Sequence, residues 1–128
     1  MLKGGCACGE IKYEINCYSQ FSFHCQCRQC QRITVAGHSS QFMVSADTVN
    51  IIGNLKYYDQ PTDGGNIKSS GFCGICGSPI LTKSSGYPES LYFHATSLEN
   101  PEQYKPSALV CNSSSQDWDY INPDIEII

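Results

Sequence analysis

Apolar runs in this chain are short, such as Val49-Asn50-Ile51-Ile52, and none is long enough to cross a bilayer. Positive charge is scarce: 8 Lys and Arg stand against 12 Asp and Glu, a formal net charge of −4. Chains that grip phosphate backbones carry the opposite sign, so no nucleic-acid partner and no membrane partner are expected. Charged residues of both signs reach only 16%, but Ser, Gln, Asn and Thr fill the polar places and keep a soluble globule as the expectation. Long amphipathic helices, repeats, low-complexity tracts and linkers are missing. What is left is enough chain for one ordinary core, read as a single domain over residues 1–128. The opening MLKGGCACGE has no apolar stretch of signal-peptide length, so the cytoplasm is the expected location.

Cysteine is what the chain has in excess. There are nine: Cys6, Cys8, Cys17, Cys25, Cys27, Cys30, Cys73, Cys76 and Cys111. A disulfide framework needs an oxidising compartment, and nothing in the sequence directs the chain to one. The number is odd, and seven of the nine fall in Cys-x-Cys or Cys-x-x-Cys clusters. Neighbours that close make strained disulfide rings but good metal knuckles. Cys17 and Cys111 lie outside the clusters, and a buried apolar thiol is expected for each.

Strand signals dominate the rest. From Glu10 to Ile15, Ile11, Tyr13 and Ile15 alternate with Glu10, Lys12 and Glu14. Phe21 to Phe23, Gln41 to Val44, Val49 to Ile52, Leu55 to Tyr58, Ile67 to Phe72, Pro79 to Lys83, Leu91 to Ala95 and Ala108 to Cys111 are further β-type runs. Gly53-Asn54 and Asp63-Gly64-Gly65 read as turns. The helical candidates are Arg28 to Thr34 and a turn near Ala46 to Val49. The class is therefore mostly β, with several small sheets and a thin core that metal binding would support.

Cys73-Gly74-Ile75-Cys76-Gly77 has the form of a zinc knuckle. Its last glycine permits positive φ, which lets backbone N–H groups point at the sulfurs. Cys6-Ala7-Cys8-Gly9 is a second two-thiol arm, and Cys25, Cys27 and Cys30 offer three thiols within six residues. Seven clustered thiols divide most simply as four plus three: a closed structural site and a site with one open position. The spacing leaves open which arms meet, because Cys6 and Cys8 can also join the middle cluster.

These segments, in order, are GGCACGEIKYEI, CQCRQCQRIT, GFCGICGSPI, SLENP and a late Trp118-Asp119 before Pro123. Together they resemble the family of the glutathione-dependent formaldehyde-activating enzyme (Gfa) and centromere protein V. The resemblance implies coiled antiparallel sheets around zinc, a fold similar to that of a small Rab-binding zinc protein. It implies two zinc ions per chain: a structural one on Cys6, Cys8, Cys73 and Cys76, and one at the active site on Cys25, Cys27 and Cys30. The sequence also departs from the family pattern. Gln26 replaces a frequent His, Gln31-Arg32 replaces a basic pair, and Val35 replaces a usual Gly, with Gly37 two residues on.

Three thiolates make zinc a poorer generator of hydroxide than three imidazoles do, yet a good partner for an outside thiolate. A glutathione thiolate held there can attack formaldehyde, and the reverse is carbon–sulfur lyase chemistry. Arg32 is the candidate for the glutathione carboxylate, and His38 or His94 for the proton. The expected function is thus a zinc-dependent carbon–sulfur lyase acting on a small thiol adduct, like S-(hydroxymethyl)glutathione synthase. The alternative is a zinc-stabilised binding module without turnover, its second site closed by His24, His94 or Cys111.

Overall fold

The computed structural model describes residues 1–128. Its strands run in chain order: β1 Leu2–Gly5, β2 Lys12–Ile15, β3 Phe21–Cys25, β4 Ser39–Ser45, β5 Val49–Ile52, β6 Leu55–Pro61, β7 Ile67–Cys73, β8 Pro79–Ser84, β9 Ser90–His94, β10 Ala108–Val110 and β11 Glu126–Ile127. One α-helix, α1, covers Arg28–Thr34, and short 3-10 turns join several strands. The mostly-β expectation holds, and the small sheets are two. One has three strands in the order β1-β2-β5; the other has eight, β11-β10-β3-β4-β9-β8-β7-β6. Every ladder is antiparallel except those of β10, which runs parallel to β3 and β11.

Alternation decides what each strand buries. In β2, Tyr13 and Ile15 are buried while Lys12 and Glu14 face water. Ile11, Tyr13 and Ile15 press on Phe42, Val44, Leu81 and Phe93, which come from one face of the large sheet. Tyr13 and Phe93 have ring centroids 4.5 Å apart, and Phe42 stacks on Phe93 at 5.8 Å. The Tyr13 hydroxyl still finds a partner. Ser97 donates to the His94 carbonyl at 2.7 Å, so Tyr13 donates to Ser97 Oγ at 2.6 Å. Burial pushes the Tyr13 pKa up to about 12, which keeps it a donor. Gly4 runs directly over this hydroxyl; a Cβ there would sit 2.4 Å from Tyr13 Oη.

The other face of the large sheet carries a smaller apolar group of Phe23, Cys25, Cys30 and Ala108. Helix α1 covers it. Its predicted range matches the structure, and its first turn is capped by sulfur: Cys27 Sγ accepts the Cys30 N–H at 3.2 Å. The helix ends at Val35 in the left-handed region, φ 56°, with its N–H donating to the Gln31 carbonyl. Glycine suits that position best, and a β-branched residue there is strained.

Boundaries shift by a few residues from the sequence expectation. The strand expected from Glu10 starts at Lys12 as β2, after a bend at Gly9 and Glu10, and β6 runs on to Pro61. β1 and β11 carry no strand signal: LKGG has two glycines, and Glu126–Ile127 is two residues long. Cys111 is a correction. It is exposed, not buried, because its backbone turns left-handed at φ 58° and leaves the sheet after Val110. Cys17 is half-buried against the core, with its sulfur 3.2 Å from Thr48 Oγ1.

The strain at Val35 is testable. Val35→Gly should raise stability by about 1 kcal/mol, seen as a higher thermal midpoint. An unchanged or lower midpoint would show that the αL cap carries no strain.

Candidate metal centre

Cys6 and Cys8 lie on the turn that follows β1, and Cys73 and Cys76 on the turn that ends β7. The structure brings the four sulfurs within 4.8 Å of one another, which settles which arms meet. Cys6 Sγ lies 3.6 Å from Cys8 Sγ, and Cys8 Sγ lies 3.7 Å from Cys73 Sγ. Four sulfurs around a tetrahedral zinc, with bonds of the usual length, stand about 3.8 Å apart. The donor set and its spacing fit that ion. Each arm turns through a positive-φ glycine, Gly9 at 85° and Gly77 at 78°. The turns aim N–H groups at sulfur: Ile11 at Cys6 (3.2 Å), Ile75 and Cys76 at Cys73 (3.4 and 3.5 Å). Ser78 joins the arms, accepting from Ala7 N–H at 3.1 Å and lying 3.2 Å from Cys76 Sγ. Its hydroxyl and N–H draw the Cys76 thiol down to about 5.

The second group, Cys25, Cys27 and Cys30, also lies within 4.8 Å. Cys25 ends β3, Cys27 caps α1, and Cys30 closes its first turn. Cys25 and Cys30 are buried, while Cys27 is only half-buried. Within this group the thiols perturb one another. Hydrogen bonding to Cys27 pushes Cys25 up, and the same contact draws Cys27 down to about 2. Gln41 Nε2 points at Cys30 Sγ from 3.8 Å. Each of the two groups could therefore hold a metal ion.

The residues that depart from the family pattern line this loop. Gln26 and Gln31 are both buried. Gln31 Nε2 donates to the Gln26 and Ser114 carbonyls at 2.8 and 3.0 Å, and its Oε1 accepts from Arg28 and Gln116. Gln26 Nε2 donates to Asp119 Oδ2 at 3.1 Å, and Gln26 Oε1 is enclosed with no partner. Asp119 also accepts from His38 Nδ1, at 2.9 Å to both oxygens. It docks against Gly37, where a Cβ would stand 2.3 Å from its Cγ. Buried amides thus fasten the C-terminal segment to the thiol loop. The sequence marked Trp118-Asp119, but nothing local tied Asp119 to Gln26.

The candidate organic residues are placed unequally. His94 is buried on the same sheet face as Cys25, through the pairs Cys25↔Ser39 and Gln41↔His94. Burial and then the Lys68 charge lower its pKa to about 4, so it is neutral at pH 7. His24 alternates to the opposite face, 2.9 Å from Ser40 Oγ and edge-on to His38 at 4.8 Å. His38 thus sits with Asp119 rather than with the thiols. Arg32 is exposed, two residues beyond Cys30 and on the far side of α1. Two cavities, of about 700 and 480 Å³, open beside Cys6 and beside Tyr104. Neither is lined by Cys25, Cys27 or Cys30, so the three-thiol group lies outside both.

Two outcomes follow from this geometry. Asp119→Ala strands both ends of the buried Gln26 amide and should cost about 1–3 kcal/mol. Amide exchange near residues 112–122 should quicken, and unchanged exchange there would mean that Asp119 does not fasten the segment. His94 has a folded pKa below its unfolded one. Its contribution is therefore intact above about pH 6.5 and lost as pH falls through about 4. His94→Gln should remove on the order of 2–3 kcal/mol of that acid sensitivity, read from denaturant midpoints between pH 7 and 4. Parallel curves for the two proteins would contradict the burial effect.

Comparison with known proteins agrees with this architecture. A crystal structure of a Rhodobacter sphaeroides protein superposes with a TM-score of 0.63 at 18% identity, covering 98% of this chain and 99% of that one. At that identity the likeness concerns the fold alone. No curated protein matches the sequence. The family described as glutathione-dependent formaldehyde-activating enzyme matches residues 1–114, which includes both thiol groups. The chain belongs to the glutathione-dependent formaldehyde-activating enzyme family, a membership that supports a function related to glutathione and formaldehyde.

Proposed function

We propose that the chain is a zinc-dependent carbon–sulfur lyase that joins glutathione to formaldehyde as S-(hydroxymethyl)glutathione, and catalyses the reverse. The observation that carries this reading is a half-open three-thiol group sharing a sheet face with a buried, neutral histidine. Cys6, Cys8, Cys73 and Cys76 hold a structural zinc, and Cys25, Cys27 and Cys30 hold the second. Zinc at the second site supplies a charge that keeps an incoming thiol deprotonated at neutral pH.

The protein's own residues do the rest. Cys25 and Cys30 are buried and fix the floor, so an outside sulfur enters on the Cys27 side. The half-buried setting limits water around the reacting sulfur. The sulfur lone pair forms a bond to the formaldehyde carbon, and the carbonyl π pair moves to oxygen. The proton released by the thiol balances the one taken up by that oxygen. His94, neutral and on the same face, is the group that passes it. In reverse, His94 receives the hydroxyl proton as the C–S bond breaks.

Elemental analysis should find two zinc ions per chain in protein purified without chelator. Cys76→Ser should lose one zinc and much of the fold, since structural zinc is worth on the order of 10–16 kcal/mol in small peptides. Cys27→Ser should lower the thermal midpoint far less, because serine still caps α1. Equal losses in the two variants would contradict this division. With cobalt in place of zinc, glutathione should change the visible bands and S-methylglutathione should not. A spectrum that ignores glutathione would mean a closed site and no thiol chemistry there.

A further inference from the structure

We propose that Lys68 is the anion-recognising residue of the three-thiol site, selecting thiols that carry a carboxylate and seating it against Ser70, Thr82 and His94. The inference rests on the reading that this site takes a thiol; it adds which thiols and by what contact.

Register places these residues together. Residues paired across a ladder, and residues two apart on one strand, share a face. Cys25 pairs with Ser39, and Gln41 with His94. Tyr92 pairs with Thr82, and Thr82 with Ser70, two residues from Lys68. One continuous face therefore runs from Cys25 on β3 to Lys68 on β7. Lys68 pairs with Gln60 on β6, and Gln60 accepts a hydrogen bond from Gln29, which stands between Cys27 and Cys30 on α1. That bridge ties the strand edge beside Lys68 to the helix that carries the thiols.

The polar groups on this face lack partners. Ser70, Thr82 and His94 are 7%, 6% and 5% exposed, yet their side chains make no hydrogen bond within the protein. The only fully enclosed unpartnered side-chain atom of the chain is Gln26 Oε1, so these three keep some access to solvent. Buried polar groups are normally satisfied, and a row of unsatisfied ones with some access to solvent is suited to a ligand's oxygens. The face also has a free cation. The ion pairs of the chain are Lys3 with Glu14 and His38 with Asp119, so Lys68 has none. Its charge reaches this face, opposing protonation of His94 after burial has already done so.

Charge balance gives the cation its purpose. Three thiolates outweigh a divalent ion by one negative charge, and a bound thiolate adds another. A carboxylate-bearing thiol is repelled by that surplus unless a cation offsets it. Arg32 is exposed on the far side of α1, whereas Lys68 is half-buried and shares the sheet face of Cys25 by register.

The test is calorimetric titration of the zinc-loaded full chain with 3-mercaptopropionate and with neutral 2-mercaptoethanol. The carboxylate thiol should bind about tenfold more tightly, and added salt should erode that advantage. Lys68→Met should abolish the advantage, weakening the carboxylate thiol about tenfold more than 2-mercaptoethanol, whose continued binding shows the site intact. Lys68→Arg should retain most of it. Equal binding of the two thiols by the natural chain, or a Lys68→Met variant that keeps the preference or weakens both alike, overturns the role of Lys68 and leaves the thiol site standing. If neither thiol binds the natural chain, the thiol-site reading falls, and this inference with it.

Discussion

Sulfurs held within contact of one another cannot all be thiolates without a cation among them, and this constraint governs both ends of the molecule. In the three-thiol group this opposition raises the pKa of Cys25 and lowers that of its neighbour Cys27. The four-thiol group shows the same split, with Cys8 raised to about 12, the Glu10 N–H that lowers it being outweighed by desolvation and its sulfur neighbours, and Cys76 lowered to about 5 by Ser78. A divalent ion held by each group would remove the conflict at both places. The four-thiol group brings residues 6–8 against residues 73–76, and an ion there would close the chain between them into one loop.

The eight-stranded sheet keeps the two groups apart. Its face toward the small sheet is apolar, built from Phe42, Val44, Leu81 and Phe93, and Cys73 belongs to that core. Its other face changes from apolar at Phe23 and Ala108 to polar at Gln41, His94, Thr82 and Ser70. Strand alternation therefore gives the two groups different settings: one is packed with the main core, the other stands on a polar surface under a short helix.

The second group is held by buried amides rather than by charge. Gln26 and Gln31 occupy places where the family often carries basic residues, and each bonds to the C-terminal segment. Positive charge near the thiols comes instead from Lys68, on a strand remote in sequence. Neutral amides close to the sulfurs and an ammonium farther off leave the thiols polarised without fixing a permanent ion pair on them.

Local patterning was enough to determine much of this. The Arg28–Thr34 helix, the Val49–Ile52 strand, the mostly-β class and the division of clustered thiols into two groups follow from spacings of a few residues, where covalent geometry alone restricts the chain. The resemblance carried the same ligand sets. What needed the tertiary structure was everything set by register between distant strands. Which cysteine arms meet is one case, since Cys8 and Cys73 are 65 residues apart. The docking of Asp119 on Gly37 and Gln26, the exposure of Cys111 and the place of Lys68 beside His94 are others. A lysine in an alternating strand reads as a solvated charge. Only the order in which strands assemble decides that its face also carries a thiol cluster, because a shift of register by one residue would turn it to the opposite side.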